Sequence, residues 1–218
     1  MFSYILFDLD GTVSDPKAGI TGSVQYALRA LGIEEPDLDR LEPFIGPPLR
    51  DSFQEYYNLN EEQTEFAVKK YRERFCAKGI YENILYPGMK ELLNRLKESG
   101  CHLAVASSKL EVSVTEILRY FAIGDCFEVT VGSEPDGRRS KKEEVVEEAL
   151  HRFFTDGKIP FDDIVMVGDR KFDIIGGKEY GLHQIGVTYG YAPEGELEEA
   201  GAEYLAHSVE ELGRILLG

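Results

Sequence analysis

The stretch FDLDGTVSD, Phe7 to Asp15, sets two aspartates two residues apart at the end of an apolar run. Alternate residues of a strand point to the same side, so Asp8 and Asp10 converge if the chain is extended there. A lone Asp-x-Asp-Gly also reads as an ordinary turn. Three further segments raise the chemical reading. ASSK closes an apolar run with Ser107, Ser108 and Lys109; GDRKFD closes another with Asp169 and, four residues on, Asp173; RRSKKEE opens a helical pattern with Lys141 and Lys142. Each is unremarkable singly, since hydroxyls cap helices and lysines decorate helix starts. Together they gather carboxylates, a hydroxyl and a lysine at the ends of several strands.

The chemistry this set suits is metal-assisted phosphoryl transfer. Hard carboxylate oxygens suit Mg²⁺, which keeps several waters and is held by few protein carboxylates. Asp8, Asp10 and Asp169 can supply that set, and the cation cancels their repulsion and shields a phosphate from a carboxylate nucleophile. Ser107 and Lys142 are then placed to hold nonbridging oxygens as charge shifts in the transition state.

The elements that must position these groups are legible as short apolar runs: 4–7, 102–107, 127–131, 163–168 and 184–188, with 203–207 as an edge strand. Near-continuous apolar runs suit a parallel sheet covered on both faces. Between them lie helical patterns at 88–100, 113–121, 142–154 and 173–181. Strands alternating with helices predict a doubly wound, Rossmann-like α/β sheet. One connection is too long. More than 90 residues separate the first two strands, whereas a crossover needs about a dozen plus its helix. Residues 15–85 therefore read as an insertion with helices at 22–33, 47–57 and 61–79, and residues 1–14 with 86–218 as the core. Its place beside the first strand's end predicts a lid over the edge where ligands of open α/β sheets bind.

The chain has 218 residues, 43% hydrophobic, and a formal net charge of −16. That balance argues against nucleic-acid and anionic-membrane partners. Three separated cysteines, Cys76, Cys101 and Cys126, without a C-x-x-C pair read as reduced thiols. No stretch approaches the roughly 20 apolar residues of a membrane span, and no signal segment is evident, so a cytoplasmic location is expected.

DLDGT, Ser107, the helix-start lysine and GDRKFD resemble the four motifs of the haloacid dehalogenase superfamily, in order and over nearly the whole chain. The insertion is similar to the C1 helical cap, and FIGPPL, KGIYEN and YPG resemble phosphoglycolate phosphatase-like members and their nucleotidase-like relatives. The resemblance implies a Mg²⁺-dependent phosphatase acting on a small phosphorylated metabolite. It makes Asp8 the nucleophile that forms an aspartyl-phosphate and Asp10 the general acid and base, with its backbone carbonyl on the metal. Asp169 becomes the third protein ligand, Asp173 a supporting carboxylate, and Ser107 the second-motif hydroxyl. The family often shows Lys-Pro at the third motif, where this chain has SKKEEV; Lys142 is favoured because it leads directly into the apolar helix pattern, with Lys141 the alternative.

Within the superfamily, Asp10 argues against dehalogenation. Phosphonate hydrolysis needs a cap lysine acting as an amine nucleophile, whereas Lys69, Lys70 and Lys78 lie on a charged pattern that reads as solvated. A 5′-nucleotidase, a β-phosphoglucomutase-like sugar-phosphate mutase and a non-catalytic phosphate-binding protein remain alternatives. In FIGPPLRDSF, Gly46 permits a tight turn and Arg50, one turn in, is a candidate for reading an anionic substrate group, or a plain surface arginine. His102, His151, His183 and His207 lack metal-ligand spacing, Tyr56, Tyr57 and Tyr71 read as cap packing, and the glycines of GGKEYG read as packing and helix-ending residues.

Overall fold

The computed structural model describes residues 2–155 and 157–218. The chain divides into two compact units, Met1–Asp15 with Leu85–Gly218, and Pro16–Ile84. The first unit carries strands β1 (Tyr4–Phe7) and β2 (Ser14–Asp15); the chain returns to it through β3 (Ile84–Leu85), which pairs with β2. There follow β4 (His102–Leu110), β5 (Val129–Ser133), β6 (Ile164–Gly168), β7 (His183–Val187) and β8 (Tyr204–Ala206). In the described residues six of these form one sheet of order β5-β4-β1-β6-β7-β8, with every pairing parallel.

Parallel strands with no polar face must be covered on both sides. Leu6, Ala104, Ala106 and Met166 project to one face, where they pack with Val145, Val146, Ala149 and Leu150. The alternate residues Ile5, Phe7, Leu103, Val105, Val165 and Val167 are fully buried too. By strand alternation they serve the opposite face.

In the second unit lie α1 (Lys17–Ala30), α2 (Leu49–Tyr57) and α3 (Glu61–Ala77); α4 (Met89–Glu98) returns the chain to the first. The first unit continues with α5 (Glu111–Tyr120), α6 (Lys142–Phe153), α7 (Lys171–Glu179), α8 (Glu196–Ala200) and α9 (Val209–Leu217). In the second unit, α3 opens with a reciprocal cap, Asn60 accepting from the Gln63 N–H and Gln63 from the Asn60 N–H. Phe44 packs against Phe53, Tyr56 and Tyr57, and Tyr71 stacks on Phe75, as expected for packing aromatics.

Several boundaries differ from the sequence reading. Helix α1 begins at Lys17, five residues before the apolar pattern at 22. Strand β4 runs on to Leu110 through an irregular register after Ala106. Helices α8 and α9 were not expected, although Ser208 caps α9 by accepting from the Glu211 N–H. The three cysteines are free thiols. No helix of the described residues is long and apolar enough to cross a membrane.

Candidate active site

The sheet order fixes where ligands bind. From β1 the chain moves outward through β4 and β5, then crosses back to β6 on the other side of β1. The reversal point lies between β1 and β6, and in such sheets the crevice beyond the carboxyl ends of those strands takes the ligand. Phe7 is level with Val105 on one neighbour and Val167 on the other. Extending that register sets Asp8 beside Ala106 and Gly168, so Ser107 and Asp169 lie one step further along on either side. The Asp8 N–H donates to the Val167 carbonyl at 2.9 Å, which locks Asp8 onto the end of β6.

Carboxylate oxygens of Asp8, Asp169 and Asp173 lie within 4.8 Å of one another, all three residues buried. Lys142 Nζ stands 2.8 Å from Asp8 Oδ1 and 2.8 Å from Asp173 Oδ1, and donates to the Ala106 carbonyl at 2.9 Å. It reaches them as the first residue of α6, whose N-terminus faces the carboxylates. Its stem lies against α7 where only glycine fits: a Cβ on Gly176 would come within 2.8 Å of Lys142 Cγ. Lys141 is exposed and caps α6 through its backbone N–H on Glu144, so the structure brings Lys142, not Lys141, to the carboxylates.

Asp10 is held differently. Its Oδ2 pairs with Lys109 Nζ at 2.7 Å, and its Oδ1 is buried without a hydrogen-bond partner. Lys109 was visible at the strand end but not singled out, because its reach to Asp10 depends on β4 lying next to β1. Ser107 is buried and accepts from the Lys109 N–H at 3.4 Å. Arg50 lies in the second unit, half-exposed and ion-paired to Glu61 and Glu65. The histidines are engaged away from the carboxylates or exposed: His102 with Glu128, His183 with Glu203, His207 with Thr188, and His151 in solvent. Lys70 and Lys78 pair with Glu73 and Glu82 in the second unit.

The electrostatics call for more positive charge than the protein supplies. Burial pushes the Asp169 carboxyl well above the ordinary range, with the charges of Asp173 and Asp8 adding to it. Burial likewise lifts Asp173 to about 6 against the pull of Lys142. Asp10 is raised by burial despite Lys109, with Asp8 contributing. Burial alone would lower the Lys142 ammonium, but Asp173 and Asp8 outweigh it and hold it above its ordinary value. Four carboxylates thus share two lysines, and Asp169 has no ion-pair partner among the described residues. A divalent cation among hard oxygens from Asp8 and Asp169 meets that deficit, so the residues present fit Mg²⁺.

Besides Lys109, the residues Thr12, Asp15 and Tyr191 join the site without a local signal in the sequence. Asp169 accepts from the Tyr191 N–H at 2.8 Å and from the Thr12 hydroxyl at 3.4 Å. Asp15 accepts from the Tyr191 hydroxyl.

A doubly wound parallel sheet with a carboxylate cluster and a buried lysine at its reversal point is the arrangement of an α/β hydrolase that acts on phosphate esters. The chain belongs to the haloacid dehalogenase-like hydrolase family, whose model matches residues 5–187, and it is a phosphatase of that family. It is 48% identical over 193 residues to a 5′-nucleotidase of Pseudomonas aeruginosa, covering 88% of this chain and 86% of that protein. It is 34% identical over 204 residues to the tyrosine-protein kinase PtkA of Mycobacterium tuberculosis, covering 94% and 68%. A solved structure of a predicted phosphatase from Clostridium acetobutylicum superposes with a TM-score of 0.94 at 45% identity, covering 100% of this chain and 99% of that one.

Proposed function

We propose that the protein hydrolyses small phosphomonoesters in two steps through phospho-Asp8, with 5′-nucleoside monophosphates as the first substrate class and phosphoglycolate-like esters as the second. The observation that carries the mechanism is the shared lysine, with Lys142 Nζ at 2.8 Å from both Asp8 and Asp173. Asp8 is thus buried on the strand end with a cation beside it. The 48% identity to a relative named 5′-nucleotidase supports the first substrate class, and the 31% identity over 208 residues to a relative named phosphoglycolate phosphatase supports the second.

An Asp8 carboxylate oxygen attacks phosphorus, the bond to the ester oxygen breaks, and that oxygen takes the proton of the Asp10 carboxyl. Asp10, now ionised, withdraws a proton from water, whose oxygen attacks phosphorus and breaks the bond to Asp8. Inorganic phosphate leaves and both aspartates are restored. The raised Asp10 value suits an acid in the first step. Ser107 and Lys142 hold the nonbridging oxygens. Asp8, Asp169 and the Asp10 backbone carbonyl would hold Mg²⁺, with Asp173 in support, and the cation would supply the charge that neutralises carboxylates and phosphoryl group together. The helical unit Pro16–Ile84 acts as the cap, with Arg50 a candidate for reading a substrate anion.

The test is phosphate release over a panel of nucleoside monophosphates, phosphoglycolate and sugar phosphates with Mg²⁺, ranked by kcat/KM. Release abolished in Asp8→Asn supports the mechanism; undiminished release removes Asp8 from its role. Sugar-phosphate interconversion without net release would establish a mutase instead. Bound phosphate and metal with no turnover across the panel would establish a binding protein.

A further inference from the structure

The segment Tyr189–Gly190–Tyr191 follows β7, touches the carboxylate cluster, and plays no part in the chemistry above. Its backbone is pressed onto Asp169: a Cβ at Gly190 would lie 2.4 Å from Asp169 Cβ and 2.5 Å from the Gly11 carbonyl. The next N–H, that of Tyr191, donates to Asp169 Oδ2 at 2.8 Å. The Tyr191 hydroxyl then donates to Asp15, the last residue before the chain leaves the first unit. On the other side the Tyr189 hydroxyl donates to the Thr12 carbonyl at 3.0 Å, while the Thr12 hydroxyl donates to Asp169. Tyr86, one residue past the point where the chain re-enters the unit at Leu85, sets its ring edge-on to Tyr189 at 4.8 Å. The Tyr86 N–H donates to the Val13 carbonyl at 3.3 Å. Asp169 is thus connected through three consecutive residues to both segments that join the units.

We propose that Tyr189–Gly190–Tyr191 is a strap in which Tyr191 is a positioning residue, tying the metal-holding carboxylate Asp169 to the linker residue Asp15, so that cation binding and the order of the linkers are coupled. The inference rests on the reading of Asp169 as a metal ligand. The physical argument is reciprocity: a group hydrogen-bonded at once to the carboxylate and to the linker makes the order of each depend on the other. Glycine at 190 brings the backbone close enough for the Tyr191 N–H to reach Asp169, and the rigid phenol carries the connection outward. Burial raises the Tyr189 hydroxyl above its ordinary value, which keeps it a donor.

The experiment measures Mg²⁺ affinity by calorimetry and amide hydrogen exchange in peptides covering 9–16 and 84–88, on the full chain without substrate. In the wild type Mg²⁺ slows exchange in both peptides. Tyr191→Phe keeps the backbone donor to Asp169 and loses the hydroxyl. It weakens Mg²⁺ binding about three- to tenfold, a fraction of the value of one hydrogen bond to a charged acceptor because the bond acts on the cation only through Asp169, and removes most of the Mg²⁺-induced protection in 9–16. Asp15→Ala, which removes the acceptor, behaves as Tyr191→Phe, and the double variant is no worse than either single one, because both remove the same bond. Unchanged Mg²⁺ affinity together with intact linker protection in Tyr191→Phe overturns the strap. Absence of any Mg²⁺ effect on wild-type linker exchange overturns it too. A protein that binds Mg²⁺ with linker protection yet releases no phosphate would sink the phosphatase mechanism and leave the strap standing, so the two failures are distinct.

Discussion

Lys109 Nζ lies 2.7 Å from Asp10 Oδ2, with both side chains about nine-tenths withdrawn from solvent. The acid assigned to the leaving oxygen is therefore held by a cation from the neighbouring strand while the substrate is absent. Burial raises the Asp10 carboxyl and Lys109 lowers it. Removing the lysine as Lys109→Met raises it further, so the protonated acid persists to higher pH. The descending limb of the kcat/KM profile governed by Asp10 is expected to move upward in pH. An unmoved limb would show that Lys109 does not set the ionisation of Asp10.

Lys142 is the cation at the centre of the buried carboxylates, and truncating it leaves Asp8 and Asp173 without a counter-charge. Breaking one side of a buried ion pair costs about 3–5 kcal/mol. Lys142→Met is expected to lower the metal-free unfolding free energy by roughly 3 kcal/mol in urea. It should also reduce kcat/KM by at least about a hundredfold, since it removes one donor proposed for the phosphoryl oxygens. Lys141→Met, which changes an exposed side chain, should alter stability by less than about 0.5 kcal/mol.

Metal-free stability has a pH dependence whose sign follows from Asp173. Its folded value, about 6, lies above the ordinary 3.8 of the unfolded chain. The folded protein therefore binds the proton more tightly, and stability is present in full below 3.8 and lost as pH rises through about 6. Asp169, raised by the same burial, works in the same direction. The difference in urea midpoint between wild type and Asp173→Asn should thus shift against the wild type between pH 4 and pH 7. Saturating Mg²⁺ should raise the melting temperature most at the upper end of that range, because a ligand bound only by the folded state stabilises it. A difference that stays flat with pH would contradict the assignment.

Gly190→Ala places a methyl 2.4 Å from Asp169 Cβ, against side chain and backbone rather than a flexible tip. Asp169 must then leave its position, and Mg²⁺ affinity measured by calorimetry should fall more than tenfold. Gly32→Ala is the control: among the described residues no atom beyond its chain neighbours would lie within 4 Å of the added methyl, and only its left-handed φ of +78° is strained. It should cost about 1 kcal/mol of stability and leave Mg²⁺ affinity unchanged.

Some of this was written in local pattern. The apolar run before Asp8 could only be a buried strand, and a period of two set Asp8 and Asp10 on one side of it. The runs ending at Ser107 and Asp169 announced their strand ends in the same way. The motif order then fixed the family. Helix α9 carries its own cap signal, Ser208 followed by Glu211. The start of helix α1 is hidden in the sequence because Lys17, Gly19 and Gly22 dilute the apolar period in its first turns.

What the sequence determined by itself was therefore the inventory: which residue types stand at which strand and helix ends, and that a long insertion separates the first two strands. What tertiary structure decided was pairing. The order β4-β1-β6 places Lys109 beside Asp10 and Asp169 beside Asp8. The packing of α6 on α7 selects Lys142 over its neighbour, since a side chain buried against Gly176 can reach Asp8 and one at the exposed cap cannot. The strap at Tyr191 joins Asp169 across 22 residues and Asp15 across 176. Such contacts leave no periodicity in the chain, because hydrogen bonds between distant segments depend on the sheet order and not on the spacing of the residues that make them.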